Sequence, residues 1–110
     1  MSKETRLFMR LLVFFDLPTT SRKDRRAYTL FHRYLVKQGY DMIQYSVYGR
    51  VVNGLDNLET HMNRLRANLP PNGLVQCMRV TEKQFAGMHL LVGDQSPQEK
   101  RVGGKQMILL

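Results

Sequence analysis

The chain has 110 residues, 43% hydrophobic and 24% charged, which suits one packed core and argues against a disordered chain. Seventeen Lys and Arg against nine Asp and Glu leave a formal charge of +8, which favours anionic partners, nucleic acid first and a membrane surface second. No run approaches the roughly 18 apolar residues of a bilayer span, and a single cysteine, Cys77, excludes an internal disulfide framework.

The opening residues, MSKETRLFMRLL, lack the long apolar core and small-residue cleavage site of a secretory leader, so a cytoplasmic protein is expected. Residues 7–15, LFMRLLVFF, predict a strand. Leu7, Met9, Leu11, Val13 and Phe15 share one face; Phe8, Arg10, Leu12, Phe14 and the acid that follows, Asp16, share the other. Both faces are mostly apolar, which predicts a central strand covered on both sides. Residues 21–38 predict a helix. Ser21 and Asp24 form a capping-box pattern, Ala27, Leu30, Phe31, Tyr34 and Leu35 make an apolar stripe, and Gly39 supplies the left-handed stop.

Residues 41–52, DMIQYSVYGRVV, are rich in strand formers but long for one strand. Either the run bends near Gly49 or it is two strands joined by a tight reversal. A second helix is expected over 56–69, with Asp56 and Glu59 in capping positions and Leu55, Leu58, Met62, Leu65 and Leu69 as its stripe; PPNG at 70–73 stops it. Strands are expected over 74–81 and 84–92. From Gly93 to Lys105 the chain is polar and glycine-rich, and QMILL follows. The division is therefore a domain over 1–93 and a linker with an apolar tail over 94–110. Met107, Ile108, Leu109 and Leu110 are expected to dock on this domain or on a partner. The order β-α-β(β)-α-β plus one strand predicts an α+β ferredoxin-like sandwich, with helices on one face of an antiparallel sheet and an additional C-terminal strand.

The usual catalytic sets are missing. His32, His61 and His89 are isolated, no glycine-rich phosphate loop or nucleophile elbow is present, and Cys77 reads as a small core residue. Asp16 reads either as a turn-forming acid or as a metal ligand, since Mg²⁺ often takes only one or two protein carboxylates and keeps its waters. The first helix carries Arg22, Lys23, Arg25, Arg26, Arg33 and Lys37 against Asp24, a net +5 of the total +8. A purely solubilising face would mix signs. Arg22, Lys23, Arg26 and Arg33 are therefore candidates for sequence-independent, salt-sensitive contact with a nucleic-acid backbone.

LLVFFDLPT, RKDRRAYTLFHRYLVKQGY, MIQYSVYGRVV and VTEKQFAGMHLLVG, in unbroken order over about residues 6–93, together resemble the small CRISPR-associated adaptation proteins of the Cas-two family, of the kind found with Cas-nine systems. The resemblance implies a ferredoxin-like fold, a split of residues 41–52 into two strands, and a two-fold homodimer whose late strand, Phe85–Val92 here, crosses to the partner's sheet. It implies that Asp16 is the family's acid at the end of the first strand, facing its own copy across the axis and binding Mg²⁺. It also implies two roles. One is a metal-dependent endonuclease, a hydrolase acting on RNA or in some members DNA. The other is an adaptor whose dimer bridges dimers of the Cas-one integrase subunit and lays DNA across its basic surface. Toxin-like ribonucleases of the same fold are a weaker third reading. The adaptor is favoured, with Asp16 as a conditional metal site, because no second acid or general base accompanies Asp16 in sequence.

Overall fold

A computed structural model describes residues 8–93. Their elements run β1 (Phe8–Asp16), α1 (Arg22–Lys37), β2 (Asp41–Gln44), β3 (Val47–Asn53), α2 (Leu55–Arg66), β4 (Leu74–Thr81) and α3 (Glu82–Ala86). The sheet order is β2-β3-β1-β4 and every neighbouring pair is antiparallel. This is the arrangement of a ferredoxin-like α+β sandwich.

β1 forms where bulky apolar residues alternate without interruption, and its burial alternates with them. Met9, Leu11, Val13 and Phe15 are buried, whereas Phe8, Arg10, Leu12, Phe14 and Asp16 are half-buried or exposed. The buried set joins Phe31 and Leu35 of α1, Leu58 and Leu65 of α2, and Tyr48 and Val52 of β3 in a single core. Both long helices therefore cover the same sheet face. Phe15 lies near its centre, edge-on to Phe31 at 5.2 Å and stacked on Tyr48 at 5.6 Å between ring centroids.

The helix boundaries follow local chemistry. The Asp24 N–H donates to Ser21 Oγ at 3.0 Å. Among the described residues only this hydroxyl half of the capping box forms, because Asp is a methylene shorter than the Glu that normally reaches back. α1 stops at Gly39, whose φ is +87°. α2 starts on Gly54, which offers no side-chain cap, so Asp56 and Glu59 are not its caps; Asp56 stands in the first turn, where an acid complements the helix dipole. The 41–52 run is two strands. They reverse over Tyr45 and Ser46, with Ser46 at φ +67°; Gly49 lies inside β3, where a Cβ would lie 2.8 Å from Leu12 Cδ2.

Two further expectations are corrected. Residues 84–92 do not form a strand in the single chain. Thr81 and Gln84 make a complete capping box, with both bonds at 3.0 Å, so residues 82–86 turn into α3, and Met88–Val92 join no ladder among the described residues. β1 is central in the sheet, but the helices cover only one of its faces. The linker and the tail residues Met107–Leu110 lie outside the described residues.

Gly73, where the α2–β4 loop enters β4, fixes the end of β1. Its φ is +100°, and a Cβ there would lie 2.8 Å from the Asp16 carbonyl oxygen and 2.7 Å from Leu17 Cδ2. Gly73→Ala is expected to lower stability by about 2 kcal/mol or more, read as a fall in urea midpoint at unchanged slope. An unchanged midpoint would show that this crossing is not tight.

Candidate functional site

Asp16 is the last residue of β1 and pairs with Leu74 at the start of β4. On the other side, the Phe15 N–H donates to the Ser46 carbonyl at 3.0 Å, which ties the same strand end to the β2–β3 reversal. The backbone at this corner is held from both sides while the Asp16 side chain is exposed. Among the described residues its carboxylate accepts no hydrogen bond, so the bonded turn that would explain an Asp here is not made. Nor do three or more His, Cys, Asp or Glu side chains gather as a metal site among the described residues. One chain presents one carboxylate.

The sheet face that carries this carboxylate is mostly apolar, with Gln76, the partner of Phe14, and Asp41 of β2 among its polar members. Cross-strand partners share a face, so β1 Phe8, Leu12 and Phe14 lie with β3 Val47, Gly49 and Val51 and with β4 Leu74, Met78 and Val80. This is the sheet face that the helices leave open. Phe8 is 55% exposed, Leu74 55% and Met78 50%. A contiguous patch of this kind on a small protein marks an interaction surface. Its other end is built differently. Arg10 Nε donates to Glu82 Oε2 at 2.9 Å, and the Arg10 guanidinium lies 4.2 Å over the Phe85 ring, so α3 is fastened across the N-terminal end of β1. Beyond α3, Leu91 and Val92 are 88% and 91% exposed. They form an apolar segment that nothing among the described residues covers.

The basic candidates lie on the opposite side of the molecule. At about 100° per residue, Arg22, Arg26, Arg33 and Lys37 fall within about 60° of arc on α1, roughly opposite the buried Phe31 and Leu35. All four are exposed, and the stripe is about 22 Å long at 1.5 Å per residue. Lys23 is exposed as well and stands about 40° outside the stripe. Arg25 is not part of it: its guanidinium donates to the Thr19 and Thr20 carbonyls at 3.2 and 3.0 Å, bracing the loop that follows Asp16. The structure thus brings Arg22, Arg26 and Arg33 together and keeps them on a different face from Asp16.

No histidine gathers with other metal-ligating side chains among the described residues. His32 Nδ1 is 2.6 Å from the Tyr48 hydroxyl, His61 is half-buried on α2, and His89 is exposed. Tyr40 and Tyr48 are core residues; burial pushes the Tyr40 phenol up to about 12 and raises that of Tyr48, so both stay neutral. Tyr45, at the hairpin tip, is 85% exposed. Cys77 is half-buried against the core. Sequence reasoning missed the Arg10–Glu82–Phe85 contact, whose partners are 72 or more residues apart and carry no local signal.

Comparison with known proteins finds relatives over most of the chain. The family model for CRISPR associated protein Cas2 matches residues 9–88. A protein of Acidovorax ebreus (strain TPSY) named CRISPR-associated endoribonuclease Cas2 is 60% identical over 101 residues, which is 92% of this chain and 99% of the relative. The proteins of the same name from Treponema denticola and Ligilactobacillus salivarius are 43% and 38% identical. The first match covers 78% of this chain and 85% of the relative; the second covers 92% and 100%.

Proposed function

This chain belongs to the CRISPR-associated protein Cas2 family, and we propose that it acts as a homodimeric subunit of CRISPR adaptation, with a Mg²⁺-dependent endonuclease site formed by Asp16 from each copy. The observation that carries this reading is the open apolar sheet face with Asp16 at its end. Two-fold pairing of that face removes it from water, at roughly 25 cal/mol per Å² of apolar area. The same symmetry repeats every residue on both sides of the interface. One carboxylate per chain then becomes two.

The donor chemistry fits a hard divalent cation in that arrangement. Two carboxylates held close together repel, a cation between them relieves the repulsion, and Mg²⁺ fills its remaining positions with water. When bound, Mg²⁺ supplies Lewis-acid polarisation of a phosphoryl oxygen and activation of a water. The chain's own part is positional. Gly73, Ser46 and Arg25 hold the strand end and its loop. The segment Met88–Val92 completes the pairing in this reading by crossing to the partner's sheet, which covers its exposed apolar side chains.

The α1 stripe supports the adaptor role. Four cations along about 22 Å match the spread of several phosphates on one duplex, since a strand carries one charge per roughly 3.4 Å. In this reading the dimer lies between integrase subunits and carries DNA along its helical faces, while Asp16 is buried at its centre. Nucleic-acid holding and metal chemistry are therefore separable by mutation. Replacing both Arg26 and Arg33 by Ala is expected to reduce the log–log salt dependence of duplex binding by about 1.8, or about 0.9 per lost phosphate contact. Binding isotherms across a salt series read this directly. A slope equal to that of the unmodified protein would remove α1 from the interface.

A further inference from the structure

We propose that a second phosphate-binding site lies in the helix layer, where Arg50 of β3 and His61 and Arg64 of α2 converge on the C-terminal end of α1, and that it takes a backbone phosphate of duplex DNA. The proposal rests on the nucleic-acid reading above only for the source of the phosphate.

The site is assembled around Gln38. The Arg50 guanidinium donates to the Gln38 carbonyl, and Arg64 Nη1 donates to Gln38 Oε1 at 3.3 Å. His61 stands three residues before Arg64 on α2 and so on the same helix face; burial first, and then the Arg50 and Arg64 charges, lower its proton affinity. Three cation-capable side chains from two elements thus meet at one helix end. A helix C-terminus presents only about half an elementary negative charge. Arg50 already answers it as a cap, so Arg64 and His61 are surplus to that role. Arg79 of β4 adds to the imbalance: by register Arg50 and Arg79 flank Leu11 on the helix-covered face.

No carboxylate offsets these charges. The two ion pairs among the described residues are Arg10–Glu82 and Arg66–Glu59, and neither includes Arg50, Arg64 or Arg79. Asp41 pairs with Gly49 and so shares the open face, away from this one. Asp56, five residues before His61, lies about 140° around α2 from it. Arg64 is exposed, and His61 and Arg50 are partly so, which leaves the cluster accessible from solvent. Fork-shaped guanidinium groups beside an imidazole suit the tetrahedral oxygens of a phosphate, which accept several charge-assisted bonds at once. Lys37, the last cation of the α1 stripe, immediately precedes Gln38, so a duplex lying along that stripe runs toward this site.

The test is a nuclear magnetic resonance titration of the full chain, following the His61 ring signals as inorganic phosphate, pyrophosphate or a short DNA duplex is added. The expected result is movement of the His61 signals with all three and a higher titration midpoint for the imidazole, because a bound anion stabilises the protonated ring. Arg64→Gln is expected to weaken the response about tenfold while leaving the fold intact, since Arg64 is exposed. Arg50 is left unmutated because it also caps α1. A His61 response to phosphate and pyrophosphate but not to duplex supports the site and overturns the duplex as its source. Stationary His61 signals with all three, or unweakened binding by Arg64→Gln, overturn the proposal. Duplex-induced movement of α1 signals alone rejects this site and leaves the proposed function standing; phosphate-induced movement of His61 without any duplex binding does the reverse.

Discussion

Asp16→Asn is expected to reduce Mg²⁺-dependent phosphodiester cleavage by about 100-fold or more without loss of the fold or of the dimer. The substitution is nearly isosteric and removes only the charge. Altering groups that merely support a metal ligand costs about 10- to 100-fold in metal affinity or activity, so removing both copies of the ligand itself costs at least the upper figure. Stability is expected to change little, within about 0.5 kcal/mol, because the side chain is exposed and accepts no hydrogen bond among the described residues. Dimerisation without metal is expected to strengthen slightly, since two like charges no longer face each other. Cleavage and Mn²⁺ binding measured on the same preparation check this. Full cleavage by the Asn variant would exclude Asp16 as the metal ligand.

Met78→Glu is expected to convert the dimer to a folded monomer that has lost cleavage. Met78 is 50% exposed in the single chain, so an acid is tolerated there while the chain is alone. In the proposed pairing the same acid would occur twice, buried among Leu12 and its neighbours, and each unpaired charge costs several kcal/mol. That exceeds what a modest apolar interface returns. Analytical ultracentrifugation reads the oligomeric state, and circular dichroism verifies that the fold persists. A Met78→Glu variant that stays dimeric would move the interface to another surface, and a monomeric variant that still cleaves would dissociate the chemistry from the pair.

Much of the fold was legible because its signals are local. Alternation over Phe8–Phe15 specifies a strand, the stripe through Phe31 and Leu35 specifies α1, and Pro70, Pro71 and Gly73 stop what precedes β4. The reversal at Tyr45–Ser46 was legible locally only as one of two alternatives, and the family resemblance pointed to it; its position was hidden because Ser46 adopts positive φ without the Asn-Gly or Asp-Gly pair that normally announces it. α3 was misread as strand because an apolar run over 84–92 outweighed the Thr81–Gln84 capping box that starts it. Double-sided burial of β1 was also overread: apolar residues on both faces signal two covers, but the second cover need not belong to the same chain.

The candidate site divides in the same way. The excess of cations on α1 was readable from the segment's charge alone, but not their arrangement: Lys37 lines up with Arg22, Arg26 and Arg33, Lys23 stands outside that line, and the use of Arg25 as a loop brace depends on the path of Thr19 and Thr20. Asp16 was readable as an odd acid at the end of an apolar strand, but not as free of turn hydrogen bonds. The cluster of Arg50, His61 and Arg64 was invisible, since residues of β3 and α2 meet at Gln38 only after the crossover of α1 is in place.

In the proposed dimer, symmetry turns one carboxylate per chain into a divalent-cation site. The most direct test is the stoichiometry of Mn²⁺ bound to the purified protein, counted by electron paramagnetic resonance alongside ultracentrifugation. One tightly held ion per two chains is expected, absent from both Asp16→Asn and monomeric Met78→Glu. An ion bound one per chain and retained by the monomer, or an ion undisturbed by Asp16→Asn, would contradict it.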